Sequence, residues 1–133
     1  MDKYQALFAF YESRKDTPFE WGKSDCALLA ADWLNTYRGV DYAASFRGRY
    51  RTELGSKRAL SRQGFDSLEA VLSDCLGESL SFPAMAQRGD IVLVDTPQGD
   101  AVGIVDGMGV MVQGEIGIVH MKHSDIKCAW RIS

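Results

Sequence analysis

The chain has 133 residues, of which 46% are hydrophobic and 25% are charged, and its formal net charge at pH 7 is -3. This length predicts a single domain over residues 1–133, because a core of this size buries roughly two thirds of the unfolded surface. Charged residues or glycine interrupt every apolar run, so no segment approaches the roughly 20 apolar residues of a transmembrane helix. A membrane-spanning protein is therefore not expected.

The start of the chain and its cysteines both indicate a reducing compartment. Residues 1–20 are charged and aromatic and lack the apolar stretch of a secretory signal, so we expect synthesis and folding in the cytoplasm. Cys26, Cys75 and Cys128 lie far apart and are odd in number. This pattern predicts at least one free thiol and no disulfide framework.

Charge is distributed unevenly along the chain. Residues 47–62 carry six basic residues against Glu53 alone, whereas residues 63–133 carry ten acidic and four basic residues. A basic segment in an acidic protein can dock phosphate or carboxylate groups, or it can be an ordinary solvated face. No nucleic acid partner is expected.

Two helices are predicted near the start of the chain. Apolar residues recur at helical spacing over residues 4–11 and again over residues 26–37, which is the pattern of amphipathic helices. Ser24 or Asp25 can cap the second helix, because a side-chain oxygen there accepts from the unpaired amides of the first turn. Trp33 lies on the apolar stripe of the second helix and is predicted to be core.

A third helix is predicted from Asp66, as its cap, through Leu76. Gly77 follows it and suits the left-handed conformation in which many helices end. Cys75 lies on the apolar stripe of this helix, so it is predicted to belong to the core.

After Pro83 the pattern changes to short β-branched runs bounded by turn residues, which is typical of strands. The predicted strands cover residues 91–94, 102–105, 110–112, 116–119 and 129–132. Turn sequences at residues 97–100 and 106–107 are typical of hairpins, which join antiparallel neighbours. We therefore predict an α+β fold, with helices in about residues 1–80 packed on one face of an antiparallel sheet of four or five strands in about residues 88–133.

The segment from Trp21 to Leu29 is the one that most clearly indicates chemistry. A glycine turn precedes a capped helix, and Cys26 falls in the first turn of that helix. Unpaired amides and the positive end of the helix dipole favour thiolate over thiol, which is how cysteines at helix starts become nucleophiles. The alternative is a small apolar residue buried at the base of a helix.

Three short motifs resemble those of the NlpC-type papain-like cysteine peptidases. That family has Trp-Gly, then Asp-Cys opening a helix, then Gly-Asp entering the sheet. This chain has, in the same order, Trp21-Gly22, Asp25-Cys26 and Gly89-Asp90. The resemblance implies a papain-like fold with Cys26 at the position of the nucleophile, and it places Gln113 where the family keeps the polar group that orients the base.

The chain departs from this family at the general base. Where the family reads His-Val-Gly-Ile, this sequence reads Ala-Val-Gly-Ile from Ala101. A cysteine peptidase needs an imidazole within about 3 Å of its thiol, to hold the ion pair and to protonate the leaving amine. Full catalytic competence is therefore not expected.

Two histidines elsewhere offer a substitute base. His120 and His123 lie at or just after a late strand, and one of them could fold over Cys26, or both could be exposed loop residues. With Cys128 they form only a weak zinc pattern, because the three candidate ligands include no closely spaced cysteine pair. No metal or other cofactor is expected.

Nearly the whole chain is similar to short proteins encoded among the tail genes of long-tailed bacteriophages. The similarity is carried by Pro18-Phe19-Glu20-Trp21-Gly22, Asp25-Cys26, Arg47-Gly48-Arg49-Tyr50, Arg88-Gly89-Asp90 and Ala129-Trp130-Arg131. It implies a structural role at the tail tip or in tail assembly, with other tail proteins as partners, synthesis in the host cytoplasm and a final location in the virion. The alternative is an active hydrolase that cuts peptide bonds of peptidoglycan, with Cys26, Gln113 and His120 or His123 as its catalytic residues.

The same motifs supply the candidate binding residues. Arg47 and Arg49, with a glycine between them, could present two guanidinium groups to a carboxylate or to a partner chain, or they could form a solvated turn. Trp21 can be a wall of the cleft beside Cys26 or ordinary packing. Asp25 and Tyr50 complete the candidate set.

Overall fold

A computed structural model describes all 133 residues of the chain. Four α-helices precede the sheet, and two short 3-10 helices lie at residues 83–85 and 123–125. The α-helices are α1 (Lys3–Arg14), α2 (Cys26–Arg38), α3 (Glu53–Arg62) and α4 (Leu68–Leu76). None of them has the length and apolar character that crossing a bilayer requires.

Side chains with short polar groups fix where the helices begin. Asp2 caps α1 by accepting from the amide of Gln5, whose side chain bonds back to the amide of Asp2, the reciprocal pair of a capping box. Asp25 caps α2, which decides between the two candidates at that helix. The left-handed φ of 73° at Gly39 ends α2, a conformation that favours glycine.

The five strands form one antiparallel sheet in the order β4-β3-β2-β1-β5. The strands are β1 (Ile91–Thr96), β2 (Gly99–Asp106), β3 (Gly109–Gln113), β4 (Ile118–Met121) and β5 (Ile126–Trp130). Thr96 pairs with Gly99, and Asp106 pairs with Gly109, so both predicted hairpins are present. The predicted α+β class, with helices before an antiparallel sheet, is confirmed.

Alternate residues of the strands face two separate apolar clusters. One cluster joins the inner faces of α1 and α2 to the sheet, and it includes Trp33, which is fully buried as predicted. The other cluster lies on the opposite face of the sheet, where Leu80 and Ala86 pack against it. The helices therefore cover one face, and the segment before β1 contributes to the cover of the other.

Three predicted boundaries are wrong, and one helix was not predicted. Ser67, and not Asp66, caps α4, because its side chain accepts from the amide of Ala70. β4 starts two residues later than predicted, and β5 spans residues 126–130 and not 129–132. Sequence periodicity missed α3 because only Ala59 of that helix is buried, so its apolar stripe is too weak to predict a helix.

Candidate functional site

Cys26 is the first residue of α2, as the sequence predicts. The preceding residue, Asp25, has a side chain that caps the helix and is almost fully buried, with 2% of its surface exposed. One carboxylate oxygen accepts from the amide of Leu28 at 3.0 Å. The other accepts from the amide of Gly22 at 3.0 Å and from the hydroxyl of Tyr50 at 2.6 Å. Three donors therefore satisfy the buried carboxylate that sets the start of the Cys26 helix.

Two of the short sequence motifs named above meet around this carboxylate. Gly22 has a φ of 79°, and a Cβ atom at this position would lie 2.1 Å from the backbone oxygen of Tyr50. The amide of Gly48 donates to the carbonyl of Gly22 at 2.9 Å. Gly22 is therefore required both for its left-handed conformation and for the close passage of the Tyr50 backbone. The Trp-Gly and Arg-Gly-Arg-Tyr motifs form one packed unit, which we call the Asp25 cluster: Gly22, Asp25, Gly48 and Tyr50.

The two arginines beside this cluster differ in their roles. Arg47 bonds to Asp32 at 2.7 Å and to Asp41 at 3.0 Å, both within the chain. Its guanidinium lowers the pKa of Asp41 below the ordinary value. Arg49 is exposed and makes no ion pair. The idea that both guanidinium groups are presented outward is thus corrected, since Arg47 is used inside the fold.

The surroundings of the Cys26 sulfur oppose ionisation. The residue keeps part of its surface exposed, yet burial of the thiol among protein atoms raises its pKa above the ordinary value. The nearby charge of Asp25 raises this pKa further, while hydrogen bonds from the amides of Val102, Ala27 and Cys26 lower it. Amides at the helix start lower this pKa as predicted, but burial outweighs them, so the surroundings favour the thiol over the thiolate that the helix start alone would favour.

Cys26 lines a cavity of about 510 Å³ between the helices and the first hairpin of the sheet. Trp21, Asp25 and Tyr50 line the same cavity. Trp21 is half-buried and packs edge-on against Phe19, with ring centroids 4.7 Å apart. Trp21, Asp25, Cys26 and Tyr50 are therefore brought together, whereas Arg47 and Arg49 do not line the cavity.

Neither of the two positions at which the sequence resemblance implies a base and its partner carries such a group next to Cys26. Ala101 directly precedes Val102, whose amide bonds to the Cys26 sulfur, so the backbone at position 101 lies near the thiol while its side chain faces away. Its methyl group packs against the apolar cluster on the other face of the sheet. Gln113 lies at the end of β3 and donates to the carbonyls of Thr17 at 2.8 Å and Gly114 at 2.9 Å. Gln113 thus holds a loop in place, and its side chain does not line the cavity.

Neither histidine reaches the cavity that Cys26 lines. His120 lies on β4, and its Nε2 atom is 2.6 Å from a carboxylate oxygen of Asp106. Its ring also packs against Tyr11, with centroids 5.5 Å apart. His123 is exposed, and its ring bonds to the carbonyl of Ala86 at 3.3 Å. The arrangement in which one of them folds over Cys26 is not present.

The Gly-Asp motif is explained by a second buried carboxylate. Asp90 is fully buried and accepts from the amides of Gln87 at 2.8 Å and Ile132 at 2.9 Å. Its side chain also accepts from the guanidinium of Arg131 at 3.0 Å. The carbonyl of Gly89 accepts from the indole of Trp33 at 2.9 Å. This motif therefore joins the end of the chain to β1 and to α2.

The remaining cysteines are free thiols, and they occupy different surroundings. Cys75 lines the same cavity as Cys26 and is only half-buried, so its prediction as core is wrong. Cys128 lies on β5 and donates to Glu69 of α4 at 3.5 Å. Burial raises the pKa of both thiols. No cluster of three or more histidine, cysteine or acidic side chains is arranged to hold a metal ion.

Two features of the site were not predicted from sequence. The first is that α3 and α4 form walls of the cavity beside Cys26. The α4 stripe was a usable signal, but it was interpreted as core. The second is the pair of His120 and Asp106, which are 14 positions apart and carry no spacing that would predict contact.

The fold and the site define an α+β protein with a partly buried cysteine at the start of a capped helix. The chain belongs to a protein family described as a domain of unknown function, DUF6950, whose sequence profile matches residues 1–132. No curated protein matches the chain.

Proposed function

We propose that this chain is a structural or assembly protein of a bacteriophage tail, built on an NlpC-type papain-like scaffold whose catalytic site does not operate. The observation that carries this proposal is the thiol of Cys26. It occupies the position of a nucleophile, yet no imidazole lines its cavity and its pKa is raised by burial. A thiol of this kind can neither attack efficiently near neutral pH nor pass a proton to a leaving amine.

The order of elements supports the scaffold. A capped helix carries Cys26 at its first position, and a strand entered through Gly89-Asp90 follows later in the chain. The amide of Val102 on the next strand bonds to the sulfur. This is the neighbourhood in which the resemblance to the peptidases expects the base, and alanine stands there.

The motif residues themselves support a structural role. Gly22, Asp25 and Tyr50 stabilise the start of α2, and Asp90 with Arg131 anchors the end of the chain. Several of the residues that carry the similarity to tail-encoded proteins thus have partners inside the fold. A structural role accounts for these residues without any need for hydrolysis.

The proposal is tested in a phage that encodes this chain. Cys26→Ser is compared with a deletion of the gene and with Cys128→Ser as a matched thiol control outside the cavity. We expect the deletion to abolish or impair tail assembly and both serine variants to give normal yields of infectious particles. Mass spectrometry of purified particles then shows whether the protein stays in the finished tail.

The alternative function is a peptidoglycan hydrolase that uses Cys26 with Gln113 and His120 or His123, and it predicts a different result. Purified protein is incubated with several types of cell wall, and newly released amines are measured. Release that disappears in Cys26→Ser, together with a loss of infectivity in that variant alone, contradicts the structural proposal.

A further inference from the structure

Helix α4 presents an apolar face that the fold fills only in part. Its stripe consists of Leu68, Val71, Leu72, Cys75 and Leu76, and every one of these side chains lines the cavity. Leu68, Leu72 and Leu76 also pack against the main core cluster, whereas Val71 and Cys75 do not, and none of the residues of α4 is fully buried. An apolar stripe normally packs closely against a core along its whole length, so the open part of this one points to a site for another apolar group.

The cavity has the size and lining of a binding site. Its volume of about 510 Å³ falls within the range of roughly 300–1,000 Å³ that is common for ligand pockets. Leu28 and Leu34 of α2 and Leu60 of α3 face α4 across the cavity. Trp21 and Tyr50 add aromatic rings near the thiol, which suits an apolar occupant.

The charged residues around the cavity indicate which charge the ligand carries next to its apolar group. Four acidic residues line it, and Lys57 is the only basic one; the acidic residues are Asp25, Glu53, Asp66 and Asp100. Asp25 is buried and already accepts from three donors. Glu53 bonds to Lys57 and Asp100 bonds to Lys127, but Asp66 makes no ion pair. The carboxylate of Asp66 is therefore free to pair with a cation of the occupant. An occupant that carries a negative charge at this position is disfavoured.

We propose that this cavity binds a segment of a partner protein that inserts one apolar side chain next to a lysine or arginine. The proposal rests on the proposed function and names the chemistry of the tail partner. A fatty acid has a suitable apolar chain, but its carboxylate is negative and would be repelled by the acidic residues Glu53, Asp66 and Asp100 that line the cavity. These acidic residues therefore favour a basic peptide over a fatty acid.

The three free thiols provide a built-in reporter for occupancy. Cys26 on α2 and Cys75 on α4 line the cavity, whereas Cys128 does not. Short random peptides displayed on particles are selected on the full chain, and enriched sequences are synthesised. The alkylation rate of each cysteine is then measured by mass spectrometry with and without peptide, and with dodecanoate in a parallel arm.

We expect enriched peptides to share an apolar residue beside lysine or arginine and to protect Cys26 and Cys75 but not Cys128. At about ten times the dissociation constant, mass action predicts roughly tenfold slower alkylation of the two protected thiols. Enriched peptides that protect neither thiol overturn the proposal. Protection by dodecanoate and by no peptide also overturns it, in favour of a lipid chain.

Paired variants separate the apolar and the charged parts of the site. Val71→Glu places a charge in the cavity wall and is expected to abolish protection, whereas Val119→Glu on the exposed side of β4 is not. Asp66→Asn is expected to weaken peptide binding roughly two- to fivefold, the usual size of an exposed charge pair. Asp74→Asn removes an acid of α4 that does not line the cavity, and it serves as the control.

The two proposals fail in different ways in this experiment. Mass spectrometry of the peptide shows whether it is cut. Cleavage that depends on Cys26 overturns the non-catalytic function but leaves the binding site standing. Absence of thiol protection overturns the binding site but leaves the non-catalytic function standing.

Discussion

The regions around Cys26 and around His120 each hold part of the machinery that a cysteine hydrolase requires. Cys26 has the helix start and an open cavity, but it has no imidazole. His120 has a carboxylate partner, Asp106, at 2.6 Å, but it has no thiol. The thiol at a helix start and the histidine bonded to a carboxylate are thus present in one chain and held apart by its fold.

The sheet explains the separation. His120 pairs with Met111 of β3, and Met111 pairs with Ile104 of β2, whereas the sulfur of Cys26 bonds to the amide of Val102 on β2. His120 therefore lies two strands away, or roughly 10 Å at the usual strand spacing. Residues of the types used in catalysis can act together only if the strand order and register of the sheet bring their side chains into contact.

The largest effect is expected where the Asp25 cluster is packed most tightly. Gly22→Ala should destabilise the protein by roughly 3–5 kcal/mol, because the new methyl group meets the Tyr50 carbonyl and the left-handed φ is strained. Gly48→Ala is the matched control, since its φ is 69° but nothing lies within 4 Å of the added atom. Chemical denaturation measures both. Equal losses in the two variants contradict the role of the close contact.

A smaller effect is expected from the hydroxyl of Tyr50. Tyr50→Phe keeps the ring against Trp21 but removes a 2.6 Å donor to the buried Asp25 carboxylate. We expect a loss of about 2 kcal/mol, which is usual for a hydrogen bond to a charged acceptor. Tyr42→Phe, whose hydroxyl has only a 3.5 Å contact with Arg38, should cost much less. Similar losses of stability in the two variants would show that the hydrogen bond from Tyr50 to Asp25 contributes little to the free energy of unfolding.

The His120 region should respond in stability but not in thiol chemistry. His120→Ala leaves the Asp106 oxygen without this partner, and we expect a loss of about 1–2 kcal/mol. A double-mutant cycle with Asp106→Ala measures the coupling of the pair. The alkylation rate of Cys26 should stay unchanged in every variant of the cycle. A change in the pH profile of Cys26 alkylation would contradict the separation of the two regions.

Ala101→His sharpens the comparison because it adds an imidazole next to Val102 on β2, with its side chain on the face of the sheet opposite the one that Cys26 packs against. An imidazolium that faced the thiol would stabilise thiolate, but this side chain faces away, so we expect the pKa of Cys26 to change by much less than one pH unit. The pH dependence of Cys26 alkylation measures the change, with Cys128 as the internal control. A fall in the pKa of Cys26 of about one pH unit or more would contradict this placement of the side chain and would show that position 101 can supply a base to the thiol.

Local sequence signals predicted much of this fold. The cap and glycine around α2 and the two hairpin turns were predicted because their conformations depend on a few adjacent residues. α3 was missed because its exposed face outweighs its single buried residue. Distant contacts were not predictable in this way, and so neither the bond from Tyr50 to Asp25 nor the pair of His120 and Asp106 was expected.

The sequence predicted only part of the candidate site, because Gln113, His120 and His123 do not line the cavity, and it did not predict the electrostatics of the thiol. The sequence indicated Cys26 at the start of α2, with Trp21, Asp25 and Tyr50 as companions, and these four residues line one cavity. A helix start lowers the pKa of a thiol and burial raises it, and the balance depends on how the whole chain packs around the sulfur. Sequence alone gives the first contribution and not the second.

The pH dependence of Cys26 alkylation in the native protein tests the central claim most directly. Iodoacetamide rates for the three cysteines are followed by mass spectrometry from about pH 6 to about pH 10, with the unfolded chain as the reference. A raised pKa predicts that the midpoint for Cys26 lies above that of the unfolded chain, which is near 8.5 for an ordinary thiol. A plateau of fast alkylation below about pH 7 would show a thiolate at Cys26 and contradict the account.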